Sequence, residues 1–492
     1  MGLRLSQMAS PARTEVAREA PLCVDLDGTL VKSDTLVDSL LVLARTQPAL
    51  LPAAALRLLR GKAAFKAFVT SHAALDVAHL PYNRSLLKFL HEERARGRPI
   101  YLVTGADVRL AERVAAYLDV FTGVLASDGA VNLTGERKLD RLRSQLGGGA
   151  YDYIGNDTPD LPVLASASEI MVANPSLRLR LRMRLGGIRP THVFAERGNP
   201  FWSIFWSGLR AMRPHQWAKN LLIFLPLLLA HVASASRLWD ALVAFFCFSL
   251  TASSAYMIND LLDVEADRRH PQKRLRPFAA GELTAMTGFS MAAAFLLLAF
   301  SGARLLPAAF SGWLLLYLGT TLAYSWFLKR FALVDVLVLS GLYTLRLLAG
   351  SAATQSIISD WLAGFSVFLF FSLAIVKRFA ELENLRSSGL PARNGRGYLV
   401  ADAPQLRSFG TASAFAAVMV FAIYINSSDV AVLYRHVHRL WLIVPLMILW
   451  LCRMWLLASR GEINEDPLVF AFTDRMSLAI GVAVAAITLL AI

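Results

Sequence analysis

Cysteine is scarce in this sequence: Cys23, Cys247 and Cys452 are the only three in 492 residues, and they lie far apart in apolar surroundings. That distribution argues against a disulfide framework and against a cysteine-built metal cluster, and leaves packing as their role. Charge is also sparse, at 17% of residues, and it is unbalanced: 50 basic side chains against 36 acidic ones give a formal net charge of +14. No nucleic-acid-binding signature accompanies that excess, so an anionic membrane leaflet and phosphate-bearing substrates explain it better than nucleic acid does. The opening stretch "MGLRLSQMASPARTEVAREA" has no apolar core of signal-peptide length. Residues 1–19 therefore read as a short disordered lead, although "MGLRLS" fits the loose pattern for N-myristoylation.

Apolar residues, by contrast, make up 55% of the chain, a share that soluble enzymes of this length rarely reach. They are unevenly spread. Residues up to about 210 read as ordinary globular sequence, and the rest is a series of long apolar stretches separated by short charged loops. Stretches long enough to cross a bilayer core fall near 219–236, 238–258, 285–301, 307–324, 334–353, 361–377, 408–426, 438–457 and 475–492, about nine in all. Lys and Arg concentrate in alternate loops: Arg268 to Arg276, Lys329 and Arg330, the run from Lys377 to Arg407, and Arg453 with Arg460. The positive-inside rule makes those loops cytoplasmic. The expectation is a multi-pass protein of the cell inner membrane with its N-terminal domain in the cytoplasm.

Within the globular part, "PLCVDLDGTL" is a short apolar strand ending in Asp25 and Asp27, "RPIYLVTGA" is a second ending near Thr104, and "YDYIGNDTPDLPVL" is a third followed by Asn156, Asp157 and Asp160. Lys138 lies between the last two, in "GERKLD". Reactive side chains gather at the carboxyl ends of strands in a parallel α/β sheet. A nucleophilic carboxylate, a second that carries a proton, a hydroxyl and an ammonium for phosphate oxygens, and distal acids for Mg²⁺ together make a phosphotransfer site. In their order and strand contexts these segments resemble the four motifs of the haloacid dehalogenase superfamily, over residues 20–175. The resemblance implies a Rossmann-like α/β phosphatase domain with a helical cap between Asp34 and about Gly97. It implies Asp25 as nucleophile, Asp27 as general acid and base, Thr104 and Lys138 as phosphate binders, and Asp25 with Asp157 or Asp160 as Mg²⁺ ligands. Asn156 stands where the superfamily usually has an aspartate.

Residues 176–207 hold an alternating Arg and apolar run, "LRLRLRMRL", and then Phe201, Trp202, Phe205 and Trp206. Basic and aromatic residues favour the membrane interface, which makes this a surface-lying linker. For Arg178 to Arg184 a solvated loop fits equally well.

The second apolar stretch runs into "NDLLDVEADRRHPQKRLRP", residues 259–277. Asn259, Asp260, Asp263 and Asp267 recur at helical intervals, so on a continuing helix the three acids share one face, where a divalent cation offsets their repulsion. The basic residues that follow suit phosphate groups. Here residues 208–492 resemble the UbiA superfamily of intramembrane prenyltransferases, whose first motif has this spacing; the resemblance implies an all-α fold of about nine helices around a cavity. The second motif is "YSWFLKRFALVD", but four residues after Asp335 stands Leu339 rather than the usual second aspartate. With "RPHQWAKN", "YTLRLLAG", "KRFAEL" and "EDPLVFAFTDR", this is similar to the decaprenyl-phosphate phosphoribosyltransferase branch.

That branch implies phosphoribosyl diphosphate as donor and a polyprenyl phosphate as acceptor. By analogy Asp260, Asp263 and Asp267 hold Mg²⁺ and the diphosphate with Asn259 in support, and Lys219, Asn220, Lys273, Arg274, Lys329 and Arg346 contact phosphate groups. Tyr324 and Asp335 position the ribose or the metal, and Lys377 and Arg378 hold the lipid phosphate. The phosphatase half would then remove the 5-phosphate of the lipid product. The alternative is a prenyltransferase that alkylates an aromatic acceptor from a prenyl diphosphate, beside a regulatory or inactive phosphatase-like domain. An oligomer is compatible with either.

Overall fold

A computed structural model describes residues 20–194, 200–231, 234–388, 396–463 and 466–492, so the lead over 1–19 lies outside the described residues. The chain forms two compact units. One comprises Met1–Ile204 with Val264–Leu275 and Ala279–Ala285; the other comprises Phe205–Asp263, Arg276–Phe278 and Met286–Ile492.

The first unit is built on a parallel six-stranded sheet: β1 (Leu22–Val24), β2 (Ile100–Asp107), β3 (Gly123–Ser127), β4 (Asp152–Gly155), β5 (Ile170–Ala173) and β6 (His192–Phe194), in the order β3-β2-β1-β4-β5-β6. β1 is central, its three residues paired with Ile100–Leu102 on one side and Asp152–Ile154 on the other. Leu22, Cys23 and Val24 are fully buried, as the uninterrupted apolar run of a strand covered on both faces requires. Because all strands run one way, the segments following β1, β2 and β4 open on the same edge. Between β1 and the helix Arg84–Ala95, the helices Thr35–Thr46, Leu51–Leu58 and Lys62–His72 form the cap. Asp34 starts the first of them, its carboxylate accepting from the backbone N–H groups of Leu36 (2.9 Å) and Val37 (3.1 Å).

Two segments depart from their sequence pattern. The alternating run at 177–185 has the period of a strand, yet Leu177–Leu185 is a helix capped by the Ser176 hydroxyl. It buries Leu179 and Met183 and exposes Leu177, Leu181 and Leu185, so packing overrides the period. The loop after the acidic motif also folds into this first unit. There Arg268 is buried, its guanidinium donating to Asp38 (2.8 Å), Ser33 Oγ (3.1 Å) and the Ala279 carbonyl (3.3 Å). That arginine is a buried structural partner rather than a solvated topogenic charge.

The second unit is helical, with Ala235–Leu262, Ala285–Ala303, Ala308–Trp326, Val334–Thr354, Asp360–Ser388, Ala403–Ile425, Ile443–Ser459 and Arg475–Ala491 as its long helices. Six helices of the described chain are long and apolar enough to cross a membrane, or eight if each of two bent pairs counts as one span, and one of those pairs is the cap segment Thr35–Thr46 with Pro48–Leu58. The chain is therefore a multi-pass membrane protein with fewer clear spans than the nine expected. The expected first span is the plainest difference. Pro214–Phe224 is a 3₁₀ segment, and only Leu225–Leu229 continues as α-helix. Irregular backbone is tolerated at membrane depth where it is buried in protein or lines a cavity. Gly350 lets the helix Val334–Thr354 approach it closely, since a Cβ there would lie 2.2 Å from the Ile223 carbonyl oxygen.

Candidate functional site

In the first unit the parallel edge gathers the expected residues. Lys138 Nζ, from the helix Glu136–Leu146, donates to Asp25 Oδ1 (2.8 Å), Asp160 Oδ1 (2.9 Å) and the Tyr153 hydroxyl oxygen (3.0 Å), and the Tyr153 hydroxyl donates in turn to Asp160 Oδ1 (2.9 Å). Asp160 also accepts from the backbone N–H of Asn156 (3.3 Å), so its carboxylate positions Lys138 and the loop after β4. Asp157 lies in that loop and accepts from the Ser176 hydroxyl at 2.7 Å. Thr104 is fully buried, and its Oγ1 accepts from the Ala106 N–H (3.0 Å), which leaves its own proton to donate. Gly28 adopts φ +74°, and a Cβ on it would fall 1.9 Å from Asn156 Nδ2. Only glycine fits there, and Asn156 is thereby seated on the turn that carries the two acids.

The two acids differ in environment. Burial pushes Asp25 up to about 6, with Lys138 opposing and Asp160 adding. Burial pushes Asp27 up to about 7, Asp34 adding to it, while the hydrogen bond from the Thr35 N–H (2.7 Å) opposes. For Lys138 burial disfavours the charge, but Asp160 and Asp25 outweigh it and hold the ammonium above its ordinary range. The result is a carboxylate facing a fixed cation, beside a second carboxyl that keeps its proton near neutrality, the division of labour that general acid catalysis needs. The sequence reading missed Lys66, which reaches from the cap helix Lys62–His72 to the Gly105 carbonyl (2.6 Å) and Asn132 Oδ1 (2.9 Å) and lines a cavity of about 60 Å³ with Asp27 and Asp34.

A pH dependence follows. Folded Asp27 holds its proton more tightly than the unfolded chain does, so its contribution to stability is complete below about pH 4 and is lost as the pH rises through about 7. Asp27→Asn is expected to raise the thermal midpoint of this unit at pH 8 and to leave it nearly unchanged at pH 4, in calorimetry with EDTA present. An equal difference at both pH values would show that Asp27 is not a buried acid.

In the second unit, the helix Ala235–Leu262 ends at Asp263, its C-cap, so the three acids do not continue along one helix face. Asp260 and Asp263 remain in this unit, whereas Asp267 lies on the short helix Val264–Arg269 of the first unit, with exposed Lys273 and Arg274 beyond it. Buried Asp260 accepts from Arg213 (2.6 and 2.7 Å) and Arg276 (3.1 Å), and Asp263 accepts from Lys329 (3.1 Å), which also donates to Asn259 (3.3 Å). A carboxylate at a helix C-terminus faces the negative end of the dipole, so these cations are what make its position tenable. Arg213 itself sits at φ +53° before Pro214, a strained conformation for a non-glycine residue.

Two further clusters stand in the same unit. Lys219 and Lys377 both donate to Asp466 Oδ2 (2.8 and 3.0 Å), and the Tyr343 hydroxyl donates to Oδ1 (2.8 Å). Arg346 donates to Asn220 Oδ1 (2.8 Å), the Leu342 carbonyl (2.5 Å) and the Tyr317 hydroxyl oxygen (3.1 Å), and Asn220 donates to Ser249 (3.0 Å). Fully buried Arg378 is held by Asp335 (2.5 Å), Glu381 (2.6 and 2.7 Å) and the Tyr324 hydroxyl (2.9 Å), and the Tyr398 hydroxyl donates to Asp335. The expected pair Lys377 and Arg378 thus divides between two networks. A cavity of about 270 Å³ is lined by Arg213, Gln216, Lys219, Tyr256, Lys377 and Asp466, among others. Arg213 and Asp466 were missed as individuals although both lie in segments singled out in the sequence; a charged residue directly before a proline, Pro214 and Pro467, was their shared mark.

Among the described residues no three His, Cys, Asp or Glu side chains are gathered as a metal cage. Carboxylates in ones and twos nevertheless fit Mg²⁺, a hard cation that takes one or two protein carboxylates and fills its octahedron with water and substrate phosphate oxygens.

Residues 220–480 match the UbiA prenyltransferase family, and residues 22–165 match the haloacid dehalogenase-like hydrolases. The chain belongs to the UbiA prenyltransferase family and carries an N-terminal haloacid dehalogenase-like domain. It is 36% identical to the uncharacterized protein y4nM of Sinorhizobium fredii over 95% of this chain and 90% of that one. It is 34% identical to the nodulation protein NoeC of Azorhizobium caulinodans, over 56% of this chain and 89% of the relative. The decaprenyl-phosphate phosphoribosyltransferase of Mycobacterium tuberculosis is likewise 34% identical, over 45% of this chain and 74% of its own length.

Proposed function

We propose that the membrane unit transfers 5-phosphoribose from phosphoribosyl diphosphate to a polyprenyl phosphate, and that the haloacid dehalogenase-like unit then removes the 5-phosphate from the lipid-linked product, a precursor step for lipid-linked arabinose. The observation that carries the reading is Asp260, buried and gripped by Arg213 and Arg276, with Arg213 also lining a cavity of several cations. Kinship with a decaprenyl-phosphate phosphoribosyltransferase supports the choice of substrates. When bound, Mg²⁺ would be held by Asp260 and Asp263 in the membrane unit and by Asp25 with Asp157 or Asp160 in the other, and would supply charge neutralisation for the phosphate oxygens; Asp267 belongs to the first unit and stands outside the membrane unit's set.

In the transfer, the ionised lipid phosphate attacks the anomeric carbon and diphosphate departs, so no general base is needed. The protein's part is to hold the leaving diphosphate among fixed cations and to keep water from the oxocarbenium-like carbon. Lys329 serves the phosphates, and Tyr324, held by Arg378 and through it by Asp335, orients the ribose. Asn220 and Arg346, which hydrogen-bond each other, add to the phosphate contacts. In the hydrolysis, Asp25 attacks phosphorus to form an aspartyl-phosphate while Asp27 protonates the departing 5-oxygen. Asp27 then takes a proton from the water that releases inorganic phosphate, and Lys138 and Thr104 hold the transferring oxygens. The unit works from the cytoplasmic side of the inner membrane.

Purified full-length protein with Mg²⁺, labelled phosphoribosyl diphosphate and a polyprenyl phosphate is expected to move label into the lipid phase, and EDTA to stop it. Transfer of a prenyl group to an aromatic acid, with no labelled lipid, would replace this reading with the family's other chemistry.

A further inference from the structure

The cavity of the membrane unit is built around a carboxylate that nothing in the proposed reaction requires. Asp466 is 8% exposed, and both its oxygens are committed: Oδ2 to the ammonium groups of Lys219 (2.8 Å) and Lys377 (3.0 Å), Oδ1 to the Tyr343 hydroxyl (2.8 Å) and the Leu468 N–H (3.3 Å). Asp466 is also the N-cap of the helix Pro467–Thr473, so its backbone is fixed along with its side chain. Two ammonium groups brought to one oxygen repel each other, and the arrangement carries one surplus positive charge. An ammonium has three protons to donate. Each lysine gives one to Asp466, and both lysines line the cavity, as do Arg213 and Gln216.

We infer that this cavity is a phosphomonoester subsite, in which Lys219 and Lys377 bind a dianionic phosphate and Asp466 is the positioning residue that aims them. The inference rests on the phosphoribosyl-transfer reading and adds to it the place where a terminal phosphate docks. The walls argue for that occupant. Arg213 bridges the cavity to Asp260, so a phosphate on the two lysines lies next to the carboxylate proposed to serve the diphosphate. An isoprenoid tail in the same space would desolvate these charged groups without offering their remaining donors an acceptor, which is strongly unfavourable. The terminal phosphate can come from the 5-position of the ribosyl donor or from the head of the lipid acceptor, and kinetics separates the two.

The test uses purified full-length protein in detergent. With EDTA present, which withholds the Mg²⁺ that phosphate binding in the haloacid dehalogenase-like unit would need, ribose 5-phosphate and inorganic phosphate are expected to raise the thermal midpoint of the membrane unit in the wild type, and Lys219→Gln and Lys377→Gln to abolish that shift. Asp466→Asn is expected to raise the KM of one phosphate-bearing substrate about tenfold to a hundredfold, the loss of one to two charge-assisted hydrogen bonds, while the other KM and kcat stay within about threefold. Asp466→Glu is expected to recover part of it. A rise in the KM of phosphoribosyl diphosphate assigns the subsite to the donor, and a rise in that of polyprenyl phosphate assigns it to the acceptor. A phosphate shift that survives both lysine variants, or a fall in kcat alone in Asp466→Asn, would overturn the inference. If the wild type transfers nothing but the lysine variants still lose the phosphate shift, the subsite stands and the transfer reading fails.

Discussion

Asp260→Asn is expected to lower phosphoribosyl transfer by about a thousandfold or more while the protein remains folded. Removing one fixed charge-stabilising contact from a preorganised site commonly slows a reaction by about 10²–10³, and Asp260 is proposed to serve both the metal and two arginines. Its carboxylate receives Arg213 at 2.6 and 2.7 Å and Arg276 at 3.1 Å. Asparagine keeps the shape and one acceptor oxygen but removes the charge. Either substitution leaves two guanidinium groups without a counter-ion, and breaking a buried pair costs about 3–5 kcal/mol; asparagine spares the shape and one acceptor that alanine would also remove, so it is the milder variant for separating chemistry from stability. The measurement is labelled lipid formed per folded protein, with helicity followed by circular dichroism. Folded Asp260→Asn protein retaining more than about a tenth of wild-type transfer would reduce Asp260 to a structural ion-pair partner.

Asp25→Asn is expected to abolish release of inorganic phosphate from the phosphoribosyl lipid, by about a thousandfold or more, and to leave its synthesis unchanged. An amide in place of the nucleophile removes the covalent route. The fold survives because Lys138 keeps Asp160 and Tyr153 as partners, and the substitution removes a carboxylate whose ionisation burial already disfavours, pushed up to about 6. Phosphate release that persists in Asp25→Asn would place the hydrolysis elsewhere. A wild-type protein that makes the lipid and never releases phosphate would make this domain a silent one, with Asn156 against Gly28 as its first suspect.

Much of the site was legible along the chain because it sits in contiguous signatures. "DLDGT" after an apolar strand specifies two acids and the glycine of a tight turn, and Asn259, Asp260 and Asp263 mark the end of a membrane helix. Other roles depended on partners far away in sequence. Asp466 takes its meaning from Lys219, 247 residues distant, and Arg378 from Asp335, Tyr324 and Glu381. Lys377 and Arg378 are neighbours in sequence, but adjacent helical residues point different ways, so one faces the cavity and the other is consumed in the core.

By itself the sequence determined the two-domain plan, the parallel sheet with its acid-bearing edge, the membrane character of the second half and the acidic motif, because apolar periodicity and short motifs are local properties of the chain. Only the tertiary structure decided that the first expected span is an irregular segment, that the helix carrying the acids stops at Asp263, that Arg268 is buried against Asp38, and that one aspartate gathers two lysines at a cavity. Those outcomes turn on where buried charges find partners, and in a low-dielectric interior a charge is placed by the three-dimensional position of its counter-ion rather than by its neighbours in sequence.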